Sequence, residues 1–129
     1  MDENLFDKLY PNFTLEEFRC PCRSSLCIKD GMEYWFLSAL QDLRLQVGFP
    51  LKINSGYRCA EYNATLPKSS LNSNHIKGIA VDISTSRLSG SQKHRLLRKA
   101  FPRFTGIGIY TTFFHLDLRH LHEKSLWIG

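Results

Sequence analysis

The sequence predicts an α+β fold, a single domain over residues 1–129 with a small, largely antiparallel sheet flanked by helices. Three observations carry that prediction. Apolar residues recur at helical spacing in the first part of the chain, short later segments alternate with period two, and the helices come before most of the strands. The chain has 129 residues, one domain's worth, and at 43% hydrophobic and 12% aromatic it can bury a real core. Neither a linker nor an internal repeat interrupts it.

Each element has a local cause. Thr14-Leu15-Glu16-Glu17 is a capping box that opens a short helix. Met32, Phe36, Leu40, Leu43 and Val47 mark a longer helix that Gly48 and Pro50 end. Leu51 to Asn54 reads as a strand, Cys59 to Asn72 as an irregular connection with a helical turn, and Ile79 to Ser84 as a second strand. A helix from about Ser91 to Ala100 follows. Gly106 to Tyr110 and Phe113 to Leu118 then read as a hairpin pair across Thr111-Thr112.

Two segments carry chemistry. Ser73-Asn74-His75-Ile76-Lys77-Gly78-Ile79-Ala80-Val81-Asp82 and Phe114-His115-Leu116-Asp117 together offer His75, Asp82 and His115, two histidines and a carboxylate. Such a set leaves one position open on a tetrahedral Zn²⁺. A water in that position has its pKa brought near neutral, so the pattern points to hydrolysis at a zinc site on the sheet. Gly78 permits a tight turn after His75. In the strand that follows, Ile79, Val81 and Ile83 share one face and Ala80 and Asp82 the other. The same period puts Phe114, Leu116 and Leu118 inward and turns Phe113, His115 and Asp117 the opposite way. His115 and Asp117 therefore point into one space.

Here the sequence resembles a known family. The S-x-H-x-x-G-x-A-x-D pattern at Ser73, His75, Gly78, Ala80 and Asp82 is similar to the signature of the zinc D-alanyl-D-alanine carboxypeptidases and their murein-endopeptidase relatives, peptidase family M15. Upstream, Ile53-Asn54-Ser55-Gly56-Tyr57-Arg58 resembles the family's S-G-Y-R segment, and downstream His115-Leu116-Asp117-Leu118-Arg119 resembles the H-x-D-x-R ending of its small members. With a weaker opening at Phe13 to Phe18, the likeness covers roughly residues 13–119. It implies that His75, Asp82 and His115 ligate Zn²⁺ and that Arg58 and Ser73 contact the substrate, a peptide of bacterial peptidoglycan.

One departure bears on mechanism. Many relatives carry a Glu or Asp three residues before the last zinc histidine, or another histidine two before it, where this chain has Thr112 and Phe113. Asp117 is the nearest candidate base on the His115 face. Its other reading is a partner that orients a metal ligand. Arg58 follows a Gly-Tyr turn, and its planar fork of donors suits a carboxylate or carbonyl, the alternative being a surface ion pair. Ser73 serves equally as a cap on the turn before His75. His120 and His122 stand in reserve as proton carriers.

Four cysteines remain. Cys20, Cys22, Cys27 and Cys59 form C-x-C-x₄-C with a distant fourth, which lacks the paired C-x₂-C spacing of strong zinc motifs. Reduced thiols are the first reading, with disulfides or a second metal as alternatives. Any bond that Cys59 makes would help fix Arg58 beside it.

The formal charge of +5 favours an anionic polymer, either cell wall or nucleic acid. Lys93, Arg95, Arg98, Lys99 and Arg103 spread around the polar side of Leu96, Leu97, Ala100 and Phe101 as a solvated face, and no recognition motif accompanies them, so no nucleic-acid partner is expected. No apolar run approaches the roughly 20 residues that span a bilayer. Met1-Asp2-Glu3-Asn4 is acidic with no apolar stretch behind it, so no signal peptide is expected. The expected product is a monomer, cytoplasmic as made and released on lysis or carried in a virion if phage-encoded. The whole reads as a zinc peptidase, with a non-catalytic zinc-stabilised cell-wall-binding or virion structural protein as the alternative.

Overall fold

A computed structural model describes residues 2–67, 69–119 and 123–129. In chain order the elements are α1 (Glu3–Leu9), α2 (Leu15–Phe18), α3 (Tyr34–Val47), β1 (Ile53–Ser55), α4 (Ala60–Ala64), β2 (Ala80–Ser84), α5 (Gly90–Ala100), β3 (Gly106–Ile109), β4 (Phe113–Asp117) and β5 (Ser125–Ile128). The sheet order is β1-β2-β4-β3-β5. Every neighbouring pair is antiparallel except β3 and β5, which are parallel. The α+β prediction with a largely antiparallel sheet holds.

Caps and apolar stripes explain the helices. Asp2 accepts from the backbone N–H groups of Asn4 and Leu5 at the start of α1, at 2.7 and 3.3 Å. The Glu17 carboxylate accepts from the Thr14 backbone N–H at 2.6 Å, half of the capping box seen in the sequence. Phe6, Tyr10, Phe13 and Phe18 pack edge-on or tilted with ring centroids 5.0–5.9 Å apart. α3 turns Phe36, Leu40 and Leu43 inward and ends at Gly48, whose φ of 80° is the left-handed conformation that a side chain disfavours. Those residues meet Leu96 and Ala100 of α5 and the sheet residues Val81, Ile83, Ile107, Phe114 and Leu116 in one core.

Several expectations need correction. α1 and β5 were not foreseen, because each is short and β5 follows a segment with no strand pattern. β1 is Ile53–Ser55 rather than Leu51 to Asn54, although Leu51 is buried. Met32 lies before α3, packed against the core from the preceding loop. The basic face of α5 is also more than a solvated face: Arg95 donates to the carbonyls of Val47 and Gln46 at 2.9 and 2.7 Å, capping the C-terminus of α3. No helix among the described residues is long and apolar enough to cross a membrane.

Candidate metal centre

Strand register builds the site. In the β2–β4 pairing Asp82 stands opposite His115 and Ala80 opposite Asp117. In the β3–β4 pairing Gly108 faces His115 and Gly106 faces Asp117, and Gly108 also pairs with Trp127 of β5. One sheet face therefore carries Asp82, His115, Asp117 and Trp127 over a floor of Ala80, Gly106 and Gly108. Small floor residues are a steric requirement. A Cβ on Gly106 would strike the Asp117 carboxylate, and one on Gly108 would strike the Trp127 indole.

His75 reaches this face from the turn ahead of β2. The turn is set by Ser73, whose hydroxyl accepts from the His75 backbone N–H at 3.2 Å, and by Gly78 at φ 72°. A side chain at Gly78 would also meet the backbone of Gly31. His75 is 1% exposed, and its Nδ1 lies 2.8 Å from the Gly56 carbonyl. Because a carbonyl only accepts, Nδ1 carries the proton and Nε2 of the neutral ring presents its lone pair. That Nε2 is buried without a hydrogen-bond partner; Asp82 Oδ1 is 3.3 Å away but out of line for one.

His115 lies between two carboxylates: its Nε2 is 2.7 Å from Asp117 Oδ2 and its Nδ1 3.1 Å from Asp82 Oδ1. With the proton on Nε2, at the shorter contact, Nδ1 would turn its lone pair toward Asp82, the tautomer that a shared cation would require. Candidate donor atoms of His75, Asp82 and His115 lie within 4.8 Å of one another. Three acceptors at this range repel unless a cation or an added proton lies among them. Two nitrogens and a carboxylate oxygen suit a divalent zinc ion. The donor chemistry thus fits a metal.

Charge and burial act in opposition here. Burial pushes Asp82 up, but its contacts with His115 and His75 outweigh that and hold it well below the usual carboxylate range. Burial lowers His115, and its bonds to Asp117 and Asp82 reverse the shift upward. Asp117 is fully buried, which raises its pKa, yet Arg119 and His115 hold it far below the usual value. Arg119 binds it in a fork, Nε to Oδ1 at 2.9 Å and Nη2 to Oδ2 at 2.7 Å. Both Asp117 oxygens are engaged.

A cleft of about 940 Å³ opens beside these residues, lined by Arg58, Ser73, His75, Asp82, His115 and Trp127 among others. Arg58 is half-buried, its Nε has no partner, and burial lowers its pKa while nearby Asp82 raises it. It also lines a second cavity of about 360 Å³. Among the described residues lining the main cleft, Asp82 is the one with an acidic side chain. His120 and His122 lie outside the described residues.

Sequence reasoning missed the aromatic rim. Trp127 donates from Nε1 to the Tyr110 hydroxyl at 2.9 Å, lies 5.4 Å from the His115 ring between centroids, and carries the Arg119 guanidinium 4.8 Å above it. Tyr110 stacks on Phe113 at 4.5 Å. The alternation of Ser125-Leu126-Trp127-Ile128 was the available signal.

The sequence profile of the family described as Peptidase M15 matches residues 11–117, most of the chain and every residue of the site named above except Arg119 and Trp127. The chain belongs to the peptidase M15 family. No curated protein sequence matches it. Membership in this metal-dependent peptidase family agrees with a donor set that fits a divalent cation.

Proposed function

We propose that this M15 peptidase hydrolyses peptide bonds in the stem peptides of bacterial peptidoglycan, as a D-alanyl-D-alanine carboxypeptidase or endopeptidase, with Zn²⁺ held by His75, Asp82 and His115. The observation that supports it most is the buried, unpartnered Nε2 of His75 beside Asp82 and the lone-pair face of His115. The substrate class rests on the S-G-Y-R and S-x-H-x-x-G-x-A-x-D motifs within the family match and on an H-x-D-x-R motif whose His115 and Asp117 fall inside the match and whose Arg119 lies beyond it.

His75, Asp82 and His115 would hold the zinc ion, which when bound would supply Lewis acidity and lower the pKa of a water toward neutrality. The protein's own groups position the reaction. Gly56 and Asp117 fix the two histidine tautomers by accepting their outward N–H groups. Asp117 is a positioning residue acting through His115, since Arg119 and His115 occupy both its oxygens. Arg58 offers an unpartnered Nε at the cleft wall, suited to a substrate carboxylate or carbonyl. Ser73 shapes the turn and lines the cleft, and Trp127 with Tyr110 forms its aromatic side.

A second reading is a zinc-stabilised protein that binds cell wall or serves in a virion without cleaving anything. Its support is the lack of an acidic side chain, other than that of Asp82, among the described residues lining the cleft. Digestion of purified peptidoglycan with mass spectrometry of the fragments separates the two. Defined cleavage abolished by a chelator and restored by zinc supports the peptidase, and intact glycopeptides at high protein concentration with full zinc loading would refute it.

A further inference from the structure

Four sulfurs meet beside the S-G-Y-R segment, around Tyr57. Cys20, Cys22 and Cys27 come from the loop between α2 and α3, and Cys59 from the start of α4. Their Sγ atoms all lie within 4.8 Å of one another. A tetrahedron of sulfurs around zinc, with Zn–S near 2.3 Å, has edges of about 3.8 Å, so the cluster is within a small adjustment of that shape.

Each sulfur also accepts a hydrogen bond from nitrogen. Cys59 N donates to Cys20 Sγ at 3.3 Å, Tyr62 N to Cys59 Sγ at 3.4 Å, Lys29 N to Cys27 Sγ at 3.4 Å and Lys29 Nζ to Cys22 Sγ at 3.1 Å. Neutral thiols and disulfide sulfurs accept weakly, whereas thiolates accept well. One donor for every sulfur, with a lysine ammonium among them, suits four thiolates sharing a dication.

The loop itself needs a cross-link. Residues 20–32 form neither helix nor strand, and a stretch that long without structure of its own is uncommon inside a small domain. Of its large apolar side chains only Met32, at its end, packs against the core, while Leu26 is 93% and Ile28 70% exposed. Cys20 and Cys59 are buried with Tyr57 in a cluster apart from the main core.

We propose that Cys20, Cys22, Cys27 and Cys59 bind a structural Zn²⁺ as a closed tetrathiolate, a site separate from His75, Asp82 and His115. With all four positions taken by sulfur, this ion is structural rather than catalytic. It ties the loop to the residue after Arg58, three positions from the Gly56 carbonyl that orients His75.

Cobalt substitution of the full chain under reducing conditions tests this, because thiolate-to-cobalt charge-transfer bands in the near ultraviolet report sulfur ligands alone. Those bands are expected in the wild type and in His115→Ala, and are expected to vanish in a Cys22→Ser, Cys27→Ser variant. Where that variant fails to fold, native alkylation of the wild type followed by intact mass analysis decides: four thiols protected with zinc bound and all four modified after chelation. Equal alkylation with and without chelator, a mass short by four hydrogens from two disulfides, absence of the bands, or iron in place of zinc would overturn the proposal. Each readout is independent of whether the histidine site binds metal.

Discussion

Replacing Asp117 by Asn discriminates between a base and a positioning residue. The carboxylate receives four donors: Arg119 Nε at 2.9 Å and Arg119 N at 3.1 Å on Oδ1, and Arg119 Nη2 at 2.7 Å and His115 Nε2 at 2.7 Å on Oδ2. An asparagine has one acceptor oxygen and an NH₂ group, so one of the two donor pairs must face N–H groups. With its oxygen toward His115 it keeps the tautomer and opposes Arg119. Turned the other way, it frees the His115 tautomer. Breaking a buried charged pair costs about 3–5 kcal/mol, and because the Arg119 side chain is 31% exposed and can rehydrate, the lower end applies. About 3 kcal/mol corresponds to a fall in Tm of roughly 10 °C for a domain of this size. Zinc affinity should weaken about 10–100-fold through the misoriented His115. Competition with a calibrated chelator measures the affinity, and turnover on a stem-peptide substrate at saturating zinc measures the chemistry. The expected result is weak zinc binding with turnover restored by excess zinc. A loss of roughly 10²–10⁴ in turnover at saturating zinc, with affinity and Tm unchanged, would refute the positioning role and make Asp117 the base.

Three further outcomes are expected. His115→Ala removes one ligand, so elemental analysis should show one zinc fewer per chain than in the wild type, and cleavage should be lost. Arg58→Lys keeps charge but not the fork; kcat/KM should fall about tenfold or more while zinc content and Tm hold, and an unchanged kcat/KM would assign Arg58 to a structural ion pair. Gly106→Ala places a methyl group against the Asp117 carboxylate, so it should weaken zinc binding in the same direction as Asp117→Asn, and a variant with wild-type affinity in a chelator competition would show that the sheet floor yields.

Much of this architecture was legible because its determinants are local. The capping box at Thr14, the stripe from Phe36 to Val47 and the period-two segments at Ile79 and Phe113 each name their own element. His75, Asp82 and His115 were legible as a candidate ligand set from their residue types and as the family's set from motif resemblance, but their meeting depends on pairing Asp82 with His115 across two strands separated by α5 and β3. Strand register of that kind is not written in either strand alone. β5 was lost for a related reason: its partner β3 lies across a parallel pairing that no hairpin turn announces. Arg119 stood in a quoted motif, but its fork onto Asp117 is a contact two residues away on a strand end, visible only once Asp117 is seen to be buried.

The segment from Gly56 to Cys59 joins the two chemical centres. Gly56 accepts from His75 Nδ1, Tyr57 donates its backbone N–H to the Phe18 carbonyl at 2.9 Å, Arg58 donates its own to the His75 carbonyl at 3.2 Å, and Cys59 enters the sulfur cluster. Three of these four contacts are made by backbone atoms, so side-chain substitution does not remove them directly. Space constrains the segment as well, because a Cβ at Gly56 would press on the backbone of Phe18. A loop that loosened around the cysteines would therefore act on His75 through the chain path, shifting the Gly56 carbonyl and releasing the tautomer that leaves Nε2 bare. Disturbance at the sulfurs should consequently lower metal affinity at the histidines, whereas loss of His115, which makes none of these contacts, should leave the sulfur cluster intact.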